Sequence, residues 1–311
     1  MKYVFGPVPS RRLGMSLGVD IVPFKTCTFD CVYCQLGVTT KKTIDRDSFV
    51  PQDDVLAEIK EVIDKKTGNV DFITFSGSGE PTLNAQLGDM IRRVKAFTDV
   101  PVAVITNGSL LYRDDVRMDL NEADLVVPSL DAITDSTFAK VNRHHEGLNA
   151  KMLMDGLRDF TQQFKGQIWL EILIVKGLSD DMSELKQIAD FVRNLRLDKI
   201  QLNTIDRPPA EDFASPVTAE EMNEIARLFD DRVEIIADFD KLVKHRTHDE
   251  ESAGDRILAL LRRRPCTVDD ISTSLGLHRN EVIKYVNHLS QEGSIKQTRR
   301  GDKWYYEPAV R

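Results

Sequence analysis

Cys27, Cys31 and Cys34 lie in the run Thr26-Cys27-Thr28-Phe29-Asp30-Cys31-Val32-Tyr33-Cys34, a C-x3-C-x2-C spacing. Three thiolates on one short loop can hold three irons of a four-iron cluster and leave the fourth iron without a protein ligand. An open metal position is where a small molecule binds and reacts. Other uses of cysteine fit less well. A structural zinc ion wants four closed ligands, and the one remaining cysteine, Cys266, is far along the chain. A disulfide framework needs paired cysteines in a secreted protein. Cys266, beside Pro265, reads as a buried small hydrophobe.

A second motif lies downstream, Ser76-Gly77-Ser78-Gly79-Glu80-Pro81-Thr82. Small residues let a backbone approach a ligand closely, and a neighbouring carboxylate accepts from an ammonium group. The cysteine loop followed by this turn resembles the radical SAM superfamily. That resemblance implies a [4Fe-4S] cluster on Cys27, Cys31 and Cys34, with S-adenosylmethionine (SAM) chelating the open iron. It also implies cleavage of SAM, by one electron, to methionine and a 5′-deoxyadenosyl radical. Tyr33, the aromatic before the last cysteine, belongs to the same pattern. Gly79 and Glu80 match the family's "GGE" contacts to the SAM amino group, with Ser78 in place of the first glycine.

Further candidates sit at strand ends. Asn107 follows the third expected strand, and Ser129 and Asp131 follow the fourth. They are expected to contact SAM or substrate, with helix capping as the competing role. Glu171 interrupts an apolar run and needs a partner if buried. By position, the resemblance places Glu171 and Asn203 against the ribose or carboxylate and the adenine. The opening Phe5-to-Gly14 segment and Asn203-to-Pro209 resemble a branch of Fe–S oxidoreductases near the tRNA wyosine-base synthases, although the extra cysteines of a second cluster are missing. Arg11, Arg12 and Arg207 are candidates for an anionic substrate at the mouth of the fold, against salt-bridging between loops. Asn142-Arg143-His144-His145 reads as loop structure, with substrate contact as the alternative.

The elements that must position these residues alternate. Strand-like runs fall at 17–22, 70–75, 102–106, 125–130, 168–175 and 200–204. Most are nearly continuous apolar stretches, as strands covered on both faces should be. Between them lie helical stripes such as Val55, Ile59, Val62 and Ile63, or Leu185, Ile188, Ala189 and Val192. The alternation predicts parallel βαβ units. The family resemblance implies a partial (βα)6 TIM barrel, while periodicity alone leaves an open doubly wound sheet equally allowed. The cysteine loop follows the first strand, which puts the chemistry at the carboxyl ends of the strands.

Net charge is −8 over 311 residues, unevenly spread. Residues 252–311 carry 11 Lys+Arg against 7 Asp+Glu, a net of +4 that leaves −12 on the rest. This asymmetry argues for two units: a barrel over 1–243, a polar linker over 244–254, and a C-terminal module over 255–311. In the module, three helices followed by two strands resemble a winged helix-turn-helix domain. Arg279, Asn280 and Lys284 stand where base contacts come from, and Arg299, Arg300 and Lys303 where a wing meets phosphates. A nucleic acid or a protein is the expected partner of that module, and an electron donor such as flavodoxin or ferredoxin that of the cluster. No apolar run approaches the ~20 residues of a membrane span, and Met1-Lys2-Tyr3-Val4-Phe5-Gly6-Pro7 lacks the continuous apolar run of a signal peptide, so a cytoplasmic location is expected. The substrate is an RNA nucleoside, a glycyl-radical partner enzyme or a small metabolite. The alternative is an Fe–S redox-sensing, nucleic-acid-binding regulator.

Overall fold

The computed structural model describes residues 2–65, 70–205, 209–237, 253–275, 277, 279–300 and 303–309. Arg207, Gly276 and most of the expected linker lie outside these residues. In chain order the first part comprises β1 (Val4–Ser10), β2 (Gly14–Val19), β3 (Thr26–Cys27), β4 (Lys41–Lys42), α1 (Gln52–Asp64), β5 (Phe72–Phe75), α2 (Leu87–Lys95) and β6 (Val102–Thr106). It continues with α3 (Asp114–Leu120), β7 (Leu125–Pro128), α4 (Asp135–Val141), α5 (Ala150–Gln163), β8 (Gln167–Ile174), α6 (Met182–Val192), β9 (Lys199–Thr204), α7 (Ala219–Ala226) and β10 (Val233–Ile235).

Eight strands form one sheet in the order β1-β2-β5-β6-β7-β8-β9-β10. The six strands expected from the sequence are all present and all parallel. Two more were not expected. β10 adds a seventh parallel strand beside β9, and β1 returns antiparallel on β2. β1 escaped notice because its run Val4-Phe5-Gly6-Pro7-Val8-Pro9-Ser10 is broken by prolines, which sheets tolerate mainly at edges. The tie to β2 is close: a Cβ on Gly18 would stand 2.1 Å from the Phe5 ring, so any larger residue would have to displace that ring.

Side chains along the strands divide into two sets. Leu17, Val19, Ile73, Phe75, Val102, Val104, Val126, Ile168, Leu170, Ile172, Ile200 and Leu202 share one core with the apolar stripes of α1 to α7. The alternating set, Phe72, Ala103, Ile105, Leu125, Val127 and Trp169, forms a separate cluster capped by Leu13 from the β1–β2 turn. All seven helices therefore pack on one face. A doubly wound sheet would carry helices on both, so this arrangement is consistent with a partial barrel, and the second set marks its inner face.

The C-terminal module contains α8 (Ala253–Arg263), α9 (Val268–Leu275), α10 (Arg279–Gln291) and a hairpin of β11 (Ile295–Arg300) with β12 (Lys303–Pro308). α8 begins inside the segment read as linker. Ile257, Leu261, Ile271, Val282, Val286, Leu289 and Ile295 make its own core. Cys266 is fully buried there, bridged by backbone hydrogen bonds to Tyr306, in keeping with its reading as a small hydrophobe.

Candidate functional site

The cysteine loop is pinned before and after its thiols. β3 pairs with β4, and Thr40 and Lys41 both donate backbone N–H to the Lys25 carbonyl at 3.1 Å. Between them, Asp30 and Val32 donate to the Asn142 and Val141 carbonyls at the end of α4, at 2.9 and 3.0 Å. Val32 and Tyr33 pack with Val141, Val175, Ile205 and Leu173, so an apolar patch seats the loop beyond the ends of β8 and β9.

Each cysteine sulfur meets a side-chain N–H donor. The Lys25 ammonium lies 3.0 Å from Cys34 Sγ. The Asn107 amide is 3.5 Å from Cys27 Sγ, and the Asn142 amide 3.5 Å from Cys31 Sγ. Donors to sulfur are what tune an iron–sulfur cluster. Burial pushes the Cys27 thiol up to about 12, with Glu80 adding to the effect. Burial, then Asp131 and the other two thiols, push Cys31 up as well. The Cys27 and Cys31 thiols therefore keep their protons until a metal displaces them. Among the described residues, no three His, Cys, Asp or Glu side chains converge to hold a single ion. Sulfurs around one zinc would stand ~3.8 Å apart. Three thiols on one loop, each met by an N–H donor, are the donor set that an iron–sulfur cluster takes.

Glu80 stands next to the loop and is buried. Oε1 accepts from the Thr82 N–H at 3.0 Å and from the Thr82 and Thr106 hydroxyls at 2.6 Å. Oε2 accepts from the Asn107 N–H at 2.8 Å. Burial raises the Glu80 carboxyl, and these four donors oppose the rise. Oε2, with one donor, has capacity left for a ligand ammonium. Gly79 has a packing reason of its own: a Cβ there would meet the Thr26 carbonyl at 1.8 Å. Its absence lets the Glu80 N–H reach that same carbonyl at 3.1 Å.

Tyr33 is half-buried, and its hydroxyl donates to Asp131 in a short contact. Asp131 also accepts from the Asn142 amide at 2.7 Å and the Leu173 N–H at 2.9 Å. Burial lifts its carboxyl to about 6 against the pull of those donors. On the inner face, Glu171 is paired with Arg12 at 3.0 Å and accepts from the Asn203 amide at 2.8 Å. Burial pushes the Glu171 carboxyl up, but Arg12, Asn203 and Arg11 more than offset it and hold it below the usual range. Ser129 bridges to Glu171 through the backbone.

The structure thus brings Cys27, Cys31, Cys34, Tyr33, Glu80 and Asn107 into one hydrogen-bonded site, with Ser129, Glu171 and Asn203 alongside. Arg12 is spent on Glu171, which is the salt-bridging alternative for that residue. Three residues were not singled out by the sequence. Lys25 has a signal in hindsight, two positions before Cys27. Asn142 had only its place in a polar run. Asp20 accepts from the Ser78 N–H at 3.1 Å and from the Ser78 hydroxyl, and nothing in the sequence pointed to it.

The chain matches the Radical SAM superfamily model over residues 21–192. It belongs to the radical SAM superfamily, whose members use SAM and an iron–sulfur cluster. Within that class it is similar over 98% of its length to a UPF0026 protein of Methanocaldococcus jannaschii, at 32% identity and 96% coverage of that protein. It is also 36% identical, over 95% of its length, to a Brachyspira hyodysenteriae protein named GTPase Obg, of which it spans 44%. The present sequence has no Gly-Lys dipeptide and so no P-loop. A radical SAM methyltransferase from Sphaerobacter thermophilus shares the fold, with a TM-score of 0.53 at 16% identity, covering 71% of this chain and 66% of that one. Among the described residues no helix is long and apolar enough to cross a membrane.

Proposed function

We propose that this protein is a single-cluster radical SAM enzyme built on a partial (βα)6 barrel, with Cys27, Cys31 and Cys34 as the cluster ligands. The carrying observation is the set of three N–H-capped thiols beside the buried Glu80, whose Oε2 retains an open acceptor position. When bound, the cluster and SAM supply a 5′-deoxyadenosyl radical that abstracts hydrogen from a substrate. The chain's own residues bind and orient. Glu80 Oε2 accepts from the SAM ammonium, beside the close-packed Gly79. Asn107 and Ser129 line the carboxyl edge, and Glu171 and Asn203 face the nucleoside. Tyr33, through Asp131, fixes the loop that carries Cys31 and Cys34.

The substrate is an RNA nucleoside, a glycyl-radical partner or a small metabolite, and the likeness to wyosine-base synthases favours the first. The C-terminal module reads as a winged helix-turn-helix, the location as cytoplasmic, and the electron donor as a flavodoxin or ferredoxin. The test is anaerobic reconstitution with iron and sulfide, then SAM and dithionite, with 5′-deoxyadenosine as the readout. Product from wild type and none from Cys31→Ala supports the reading. A fully loaded cluster that leaves SAM intact overturns it.

A further inference from the structure

Two of the residues that the sequence offers to nucleic acid, Arg279 and Asn280, face the sheet domain instead. Asn280, on the first turn of α10, is buried. Its side-chain oxygen lies 2.9 Å from Ser78 Oγ, and its amide donates to Asp20 Oδ2 at 3.1 Å. Ser78 Oγ also contacts Asp20. Asp20, Ser78 and Asn280 thus close a three-membered polar ring across two units, between residues 202 and 260 positions apart. Next to it, the Arg279 guanidinium lies over the Phe24 ring, 4.6 Å from its centroid, while its Nε donates to Asp269 at 2.9 Å. Burial raises the Asp20 carboxyl against these donors, and a proton there would supply the third hydrogen of the ring.

The location of the ring matters more than its strength. Ser78 stands immediately before Gly79 and Glu80. Its carbonyl accepts from the Lys25 N–H at 2.7 Å, and Lys25 in turn reaches Cys34. The turn is therefore clamped from three directions. Asp20 holds it from the end of β2, Lys25 and Thr26 from the cysteine loop, and Asn280 from the module. Removing Asn280 takes a partner from two polar groups at once, the buried Ser78 and the part-buried Asp20. Such a loss costs more than a hydrogen bond is worth in water and shifts whatever the groups support.

We propose that Asn280 is a positioning residue for SAM, through which the C-terminal module completes the turn that presents Glu80 to the SAM amino group. The proposal rests on the radical SAM reading above. It assigns the start of α10 to docking on the catalytic unit, which takes this edge of the helix away from base recognition.

The test uses the full-length protein, anaerobically reconstituted. SAM binding is measured by equilibrium dialysis and SAM cleavage at saturating SAM, for wild type, Asn280→Ala, Ser78→Ala and the double variant. Asn280→Ala is expected to weaken SAM binding about tenfold, the effect of one buried polar partner. KM for SAM rises in step, while iron content and the saturated cleavage rate stay within about twofold of wild type. The double variant binds no more weakly than the weaker single variant, because both act through one ring. A merely structural role would instead lower iron content and the saturated rate together. Wild-type affinity in Asn280→Ala, or additive losses in the double variant, overturns the proposal and leaves the radical SAM reading intact. A loaded wild-type protein that binds no SAM overturns both.

Discussion

The two faces of the central sheet obey different rules. The helix-facing set is an unbroken apolar layer in which Leu17, Ile73, Val102, Val126 and Ile172 are fully buried. The inner set begins apolar, with Leu13, Phe72, Leu125 and Trp169, and then turns polar. There Ser16 and Thr74 share a hydrogen bond of 2.7 Å, and Arg12, Glu171 and Asn203 form a chain. The first face is held by transfer of apolar area from water. The second is held by matched polar partners, each of which costs energy when left alone. A fold can stand on the first kind of layer, whereas binding a charged cofactor needs the second.

Glu80→Ala tests that contrast most severely. It strips the acceptor from four donors, three of them on buried residues, and removes the proposed SAM ammonium contact. SAM affinity should fall on the order of a hundredfold, as a buried charge-assisted bond implies, and dialysis checks it. Phe75→Ala strikes the other face. It should cost roughly 4 kcal/mol in urea unfolding, with SAM affinity of the folded fraction unchanged. If SAM affinity moved with it, the two faces would not be separable.

Arg12→Met leaves Glu171 buried without its counter-charge. Loss of about 3 kcal/mol is expected, the penalty of breaking one side of a buried pair. The double variant Arg12→Met/Glu171→Met should recover most of it in the same unfolding experiment. The smallest effect belongs to Asp131. Its folded carboxyl, at about 6, is raised above the unfolded value. Its contribution is therefore fully present below the unfolded value and is lost as pH rises through about 6. In the metal-free protein, Tm should rise as pH falls from neutrality toward 5. Asp131→Asn should remove on the order of 2 kcal/mol of that dependence.

How much of this was legible depends on the range of the interaction. Six parallel strands were readable because each is a local apolar run, and the helical stripes because i, i+4 spacing is local too. β1 was hidden by its prolines and β10 by its length of three residues. At the site, the cysteine spacing and the Ser78-Gly79-Glu80 turn were legible as contiguous motifs. Lys25, Asn142 and Asp20 were not, because their partners Cys34, Cys31 and Ser78 reach them only through folded loops.

The three cysteines, the order of motifs, the βα alternation and the separate charge of the last 60 residues can be read without any fold. All of these are properties of neighbours along the chain. The tertiary structure decided that every helix lies on one face, which periodicity could not distinguish from two. It decided that Arg12 serves Glu171 rather than the mouth of the fold. It also turned Asn280 toward Ser78, because a buried amide is stable only where another part of the chain supplies its hydrogen-bond partners.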